Sequence, residues 1–293
     1  MIDWGSDEMY EIIRKEILAQ GIKLFETAAP EIAAKAKPGQ FIILRQDEKS
    51  ERIPLTMADF DREKGTITLI FQEVGRSTAD LGRLEPGDNI LDLVGPLGRA
   101  SEIEKFGRVV CIGGGVGIAP IYPITRAFKA AGNEVISIIG ARTAEQLILQ
   151  GEMKAVSDHI HITSDDGSIG KKGFVTDVLS KLLADEVHVD LITAIGPLPM
   201  MQAVSEASRS YGVKTIVSMN PIMVDGTGMC GACRVAVGGE TKFACVDGPE
   251  FDGHLVDWQL ARNRSRMFLA EEKIAQEHSC SGGECQCQKK KPE

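Results

Sequence analysis

Four residues of one loop concentrate the chemistry of this 293-residue chain: Asp225, Cys230, Cys233 and Cys245, spaced D-x4-C-x2-C-x11-C. Four thiolates at a C-x4-C-x2-C spacing completed by a later cysteine hold a [2Fe-2S] cluster, and here a carboxylate stands in the first place. Gly226, Gly228 and Gly231 lie among the four, and glycine lets a backbone curl closely around an inorganic core. Zinc is the rival reading, because C-x2-C also builds zinc knuckles. A structural zinc, however, recruits a second C-x2-C or a histidine pair downstream, and neither follows. A loop with idle, buried thiols is the third alternative. Asp-Gly also starts ordinary turns, so a thiol from the C-terminal tail competes with Asp225 for the fourth position.

A second stretch suited to chemistry is G-G-G-V-G-I-A-P, Gly113 to Pro120, which follows an apolar run and opens a helical one. Gly113, Gly114, Gly115, Gly117, Ala119 and Pro120 then form a bare turn at a helix start, where free N–H groups and the helix dipole favour a pyrophosphate. This is not the fingerprint G-x-G-x-x-G: Ile118 stands at the third glycine position, and the second strand ends G-A-R with no acidic residue. A ligand-free glycine turn is the bland alternative. Further turns after later apolar runs carry Arg142, Asp165, Asp166, Gly196 and Pro197. All fall at the carboxyl edge of a parallel sheet, where such folds bind ligands.

The elements that must position these loops come in three textures. From Tyr10 to about Gly98, short β-branched runs (EIIRKEIL, IKLFETA, QFIILR, TITLIFQEV, NILDLVG) separated by turn signals predict a small antiparallel barrel. R-I-P-L-T reads as a strand ending at a proline, and G-R-S-T as a loop entering a helix. From Gly107, strand, glycine turn and helix alternate (RVVCIGGG, IYPITRAFKAAG, EVISIIGAR, AEQLILQGEMKAV and onward), which predicts a doubly wound parallel sheet. After Pro221 come the cysteine loop, a strand pair around RVAVGGETKFAC, one helix near Asp257 to Glu277, and a polar tail with Cys280, Cys285 and Cys287 before a lysine run. The expected domains are residues 1–101, 102–220 and 221–293.

Composition narrows the classes. With 33 basic and 42 acidic residues the formal charge is -9, the wrong sign for gripping nucleic acid. No apolar run reaches the roughly 20 residues that span a bilayer, and the acidic N-terminus carries no export signal, so a cytoplasmic protein without a membrane partner is expected. Seven cysteines, with Cys230 and Cys233 bunched in a glycine-rich loop, suit metal ligation in a reducing compartment better than disulfides. The five histidines form no triad: His159 and His161 alternate along a strand and read as structural, and Cys111 reads as a small buried thiol.

The order of a barrel, G-G-G-x-G-I-A-P, D-D-G-S, I-G-P and a cysteine loop resembles the ferredoxin-NADP+ reductase superfamily. Within it the chain is similar to dihydroorotate dehydrogenase electron-transfer subunits and to the small subunits of NADH-dependent reduced ferredoxin:NADP+ oxidoreductases. The resemblance covers about Tyr10 to Trp258. It implies an FAD held by the barrel, NAD(H) held by the parallel-sheet domain and a [2Fe-2S] cluster. E-R-I-P-L-T matches the flavin motif of that superfamily, so Arg52, Ile53, Pro54, Leu55 and Thr56 align with the flavin-binding stretch, with proline where many members carry an aromatic. Ile70, Phe71 and Gln72 would line the flavin, while Gly75, Arg76, Ser77 and Thr78 would face its phosphates. No catalytic acid or base is implied, because the cofactors carry the hydride and electron steps. The implied role is an electron-transfer flavoprotein subunit that exchanges hydride with NAD(H) and relays single electrons to a larger flavin or iron-sulfur subunit, and through it to ferredoxin. Asp225 leans the reading to the ferredoxin:NADP+ type. A dihydroorotate dehydrogenase subunit of pyrimidine biosynthesis, a sulfide dehydrogenase or hydrogenase reductase subunit, and an NAD(H) or redox sensor are the alternatives.

Overall fold

The structure, a computed structural model, describes residues 10–185 and 187–277. The tail cysteines Cys280, Cys285 and Cys287 lie outside the described residues. The first unit comprises β1 (Tyr10–Ala19), β2 (Ile22–Ala28), α1 (Pro30–Lys35), β3 (Phe41–Arg45), β4 (Ile53–Asp61), β5 (Thr66–Gln72), α2 (Arg76–Leu81), β6 (Asn89–Ile90) and β7 (Asp92–Leu97). Its strands form one antiparallel sheet in the order β6-β1-β2-β5-β4-β3-β7. The two edge strands β6 and β7 are separated by Leu91 alone, so the chain steps from one edge to the other and the sheet nearly closes into a barrel. Inside it Phe25 and Phe71, both essentially buried, meet edge to face at 5.1 Å.

Pro54 does not end its strand. It sits second in β4, opposite Ile43 of β3, and β5 joins β4 only from Met57 onward. On the β5 side at residues 54–56 there is no ladder to break, so the missing N–H of proline costs nothing. The same gap leaves these residues open toward the second unit.

That second unit runs β8 (Arg108–Gly114), α3 (Ile118–Ala130), β9 (Glu134–Ala141), α4 (Gln150–Ala155), β10 (His159–Ser164), β11 (Lys171–Lys172), α5 (Val175–Ala184), β12 (Leu191–Ile195), α6 (Leu198–Arg209) and β13 (Lys214–Ser218). Strands β10, β9, β8, β12 and β13 lie parallel in that order, the doubly wound pattern, with the direction of winding reversing beside β8. The run AEQLILQGEMKAV makes a single 3-10 turn at Ala144–Gln146 and is α-helical only over α4. Leu149, just before it, takes a φ of 52°, which breaks any continuous helix.

The last segment adds the hairpin β14 (Arg234–Val237) and β15 (Glu240–Phe243), then β16 (Glu250–Asp252), α7 (Trp258–Arg264) and α8 (Leu269–Glu277). The single helix expected from Asp257 to Glu277 is two helices, α7 ending where Ser265 turns its hydroxyl onto the Arg262 carbonyl. β16 pairs antiparallel with β13 and extends the parallel sheet.

Apolar cores cross all these boundaries. Ile22, Leu24, Ala58 and Ile70 of the barrel pack in one cluster with Val109, Ile118 and Ile121 of the second unit. Phe41 and Ile43 share another with Ile112, Val217, Cys233 and Cys245. Among the described residues no helix is long and apolar enough to cross a membrane.

Candidate functional site

A cavity of about 820 Å³ opens between the barrel and the carboxyl edge of the parallel sheet. Pro54, Leu55, Thr56, Ile70, Phe71, Gln72 and Thr78 line it from the barrel. From the sheet edge Gly114, Gly115, Gly117, Pro120, Arg142, Asp165, Gly196 and Pro197 line the same space. Two stretches far apart in sequence are thus the facing walls of one crevice, beside the strand-order reversal where ligands settle in this architecture.

Gly117 has to be glycine. A Cβ there would collide with the Ile195 carbonyl oxygen and come within 2.8 Å of Gly196. The turn after β8 can lie against the end of β12 only without a side chain. Gly113 and Ala119 do not reach the cavity: they are buried behind the turn, and a Cβ at Gly113 would stand 3.0 Å from the Ile118 backbone.

Other expected residues are also off its wall. Arg52 is exposed just before β4, and Ile53 packs toward the barrel core. Gly75 caps α2, held with Val74 by the Thr78 hydroxyl, which accepts from both backbone N–H groups at 3.2 and 3.1 Å. Ser77 turns away and donates to Glu51 at 3.1 Å, and Arg76 pairs along its helix with Asp80. Asp166 accepts from the Ser168 hydroxyl and N–H, and these bonds hold its carboxyl below the usual range.

Sequence reasoning missed Phe174, Val175, Thr176, Met219, Asn220 and Met223, which line the cavity too. Phe174 is 61 % exposed, an apolar ring held at the cavity wall where α5 begins. The signal for it was K-K-G-F, a glycine turn (Gly173 φ 127°) leading into an aromatic at a helix start.

The cysteine loop lies on the barrel. Gly226, at φ 75°, would put a Cβ 2.6 Å from Leu97 and 2.9 Å from Ile43, so both its conformation and its contact require glycine. Cys233 and Cys245 are buried with their sulfurs 3.2 Å apart, whereas Cys230 is exposed. Burial first, then the neighbouring Cys233, pushes the Cys245 thiol up to about 12. Asp225 folds back on its own loop, accepting from the N–H groups of Thr227 at 2.6 Å and Cys230 at 2.7 Å. Accordingly, among the described residues no three donors converge as a metal-holding group. The donor chemistry nevertheless suits iron: the sulfurs of Cys245 and Cys230 already receive backbone N–H groups, from Gly228 and Ala232. Such bonds are a standard tuning element of iron-sulfur centres. Metal binding requires the thiols to lose their protons, and Asp225 would have to leave its loop contacts to serve as a further donor.

Barrel, switch-point crevice and thiol loop together define an oxidoreductase subunit of the ferredoxin reductase-like class. Residues 220–257 match the family model of the iron-sulfur cluster binding domain of dihydroorotate dehydrogenase B, and residues 111–206 match that of the oxidoreductase NAD-binding domain. The dihydroorotate dehydrogenase B (NAD(+)) electron transfer subunit homolog of Thermotoga maritima is 48 % identical over 93 % of this chain and 96 % of its own length. The electron transfer subunit of Geobacillus thermodenitrificans is 31 % identical over 83 % of this chain and 96 % of its own. The chain belongs to this family of electron-transfer subunits and their homologues. A solved structure described as the NADH-dependent reduced ferredoxin-NADP oxidoreductase of flavin-based electron bifurcation superposes with a TM-score of 0.88, at 48 % identity, over 93 % of this chain and 98 % of that one. The cofactors of such a chain are FAD, a [2Fe-2S] cluster and NAD(H).

Proposed function

We propose that this chain is the electron-transfer subunit of an NADH-dependent reduced ferredoxin:NADP+ oxidoreductase, working against a larger flavin and iron-sulfur partner. The observation that carries this reading is the 48 % identity with that oxidoreductase across nearly the whole of both chains. Asp225 at the first ligand position supports it. A dihydroorotate dehydrogenase subunit is the second reading, favoured by the name of the Geobacillus relative.

In this reading the gap in β4 at Pro54 to Thr56, with Ile70 to Gln72, holds the flavin ring against the crevice. Bound there, FAD would supply conversion between the electron pair of a hydride and single electrons. The turn Gly114 to Gly117 takes the nucleotide pyrophosphate on backbone N–H groups at the start of α3. Phe174, on the same wall, would give the adenine an apolar contact. Asp165, on the same wall as Arg142, places a carboxylate where a 2'-phosphate would have to enter, which favours NADH over NADPH. Of the four residues expected at the FAD phosphates, Thr78 lies on the crevice wall and serves that end of the cofactor. Asp225, Cys230, Cys233 and Cys245 hold the cluster, and Gly226 seats their loop on Ile43 and Leu97 of the barrel. The largely apolar lining of the crevice keeps water from the transfer site.

The test is an anaerobic visible spectrum of the purified chain with iron and flavin quantified, followed by NADH and then NADPH. Flavin and iron-sulfur bands that NADH bleaches faster than NADPH support the relay. Co-purification then separates the two subunit readings: dihydroorotate-dependent turnover with the native partner would replace the first by the second.

A further inference from the structure

Across the junction between the barrel and the parallel-sheet unit, Arg126 of α3 grips Asp59 of β4 with both arms. Nη1 donates to Oδ2 at 2.9 Å and Nη2 donates to Oδ1 at 2.5 Å. Both partners are oriented beforehand. Tyr122, one turn earlier on α3, lies with its ring centroid 5.3 Å from the guanidinium, and the Phe60 N–H donates to Asp59 Oδ1 at 2.8 Å. β4 also bulges at this point. The register advances two residues on β4, from Met57 to Asp59, for one on β5. Bulges re-aim side chains next to sites. This one buries Ala58 in the core shared with α3 and presents Asp59 to Arg126.

The two anchored elements are the ones that build the crevice. β4 contributes Pro54, Leu55 and Thr56, and α3 contributes Pro120 and begins directly after Gly117. Apolar packing beneath the pair, through Ile22, Ala58, Ile70 and Ile121, is non-directional and tolerates sliding. A bidentate guanidinium–carboxylate pair fixes both distance and angle. With side chains 40 % and 35 % exposed, the pair adds little to stability, which leaves geometry as its contribution.

We propose that Asp59 and Arg126 are positioning residues which set how the nucleotide wall of the crevice faces the flavin wall, and so set the rate of hydride transfer rather than the affinity for either ligand. The proposal rests on the reading of the crevice given above. Transfer between two bound groups depends steeply on their separation and angle, and a displacement of about 1 Å can cost about a hundredfold in rate.

The experiment uses the full chain loaded with FAD and cluster, as wild type, Arg126→Met, Arg126→Lys, and the exchanged pair Asp59→Arg with Arg126→Asp. Fluorophores at exposed Lys49 and Lys154 report the distance between the units. Arg126→Met is expected to keep FAD content and the NADH dissociation constant within about twofold, to slow flavin bleaching at saturating NADH about tenfold or more, and to broaden the distance distribution. Arg126→Lys, which keeps charge but loses the fork, falls between, and the exchanged pair regains most of the rate. A saturated rate within about twofold of wild type, a slowed rate with an unchanged distance distribution, or an exchanged pair no faster than Arg126→Met would each overturn the proposal. If NADH does not bleach the wild type, the functional reading fails by itself. The pair is then judged on the distance distribution alone, broadening supporting it and no change overturning it.

Discussion

The sulfurs of Cys233 and Cys245 stand 3.2 Å apart inside an apolar core that also contains Ile43 of the barrel and Val217 of the parallel sheet. The cluster loop is therefore a part of the same packed interior as both nucleotide-binding units. Half of the proposed donor set is buried; of the other half, Asp225 is part-buried and Cys230 exposed.

This division predicts unequal responses to mutation. Cys233→Ala and Cys245→Ala should abolish iron binding, measured as iron per chain. Asp225→Cys should retain iron and move the cluster's midpoint potential, because thiolate donates more electron density than carboxylate. Undiminished iron and an unchanged potential in Asp225→Ala would remove Asp225 from the ligand set.

The close approach at Gly117 makes a second prediction. Gly117→Ala places a methyl group against backbone that cannot retreat, so stability should fall by about 1–3 kcal/mol and NADH binding should weaken. Gly151→Ala is the control: it lies in α4 with nothing within 4 Å of the added carbon. That change should be neutral or stabilising by about 0.5–1 kcal/mol. Urea titration reads both, and equal effects would refute the packing argument.

Phe174 and Asp165 address the nucleotide. Loss of the ring in Phe174→Ala should raise the NADH dissociation constant about two- to tenfold, the range expected of one stacking contact. Asp165→Ser should raise the NADPH to NADH ratio of kcat/KM about tenfold through the loss of one repelling charge. An unaltered ratio would take Asp165 out of the selection.

A pH dependence follows from Glu250. Its carboxyl accepts from Ser101 at 2.6 Å, and although the residue as a whole is only part-buried, the carboxyl itself is enclosed by protein. Burial pushes it up to about 7 from 4.5, against the smaller opposing effect of the Ser101 bond. The folded chain then holds a proton there that the unfolded chain has released, so this group's contribution to stability declines as pH rises from about 4.5 through about 7. Glu250→Gln should match wild type near pH 4 and exceed it by about 1–3 kcal/mol at pH 8. A difference that does not vary with pH would show that the carboxyl is not desolvated.

Much of the site was legible because its determinants are local. The spacing D-x4-C-x2-C-x11-C, the glycine turn before α3 and the alternation of apolar runs each depend on residues within a few positions of one another. Period and spacing survive in the linear chain, so the amino-acid order alone determined the barrel, the doubly wound sheet, the thiol loop and part of the crevice wall.

What lay beyond it was set by contacts between distant segments. R-I-P-L-T continues as a strand through its proline because β5 joins β4 only at Met57. Residues 257–277 divide into two helices, and β16 extends a sheet whose other strands lie well before it in the chain. Phe174 entered the crevice wall, and Ser77 left it for Glu51. The ion pair of Asp59 with Arg126 joins residues 67 apart in the chain. No pattern in either neighbourhood marks such a pair: which side chains meet across a junction is chosen by the packing of whole units, and that choice exists only once the chain has folded.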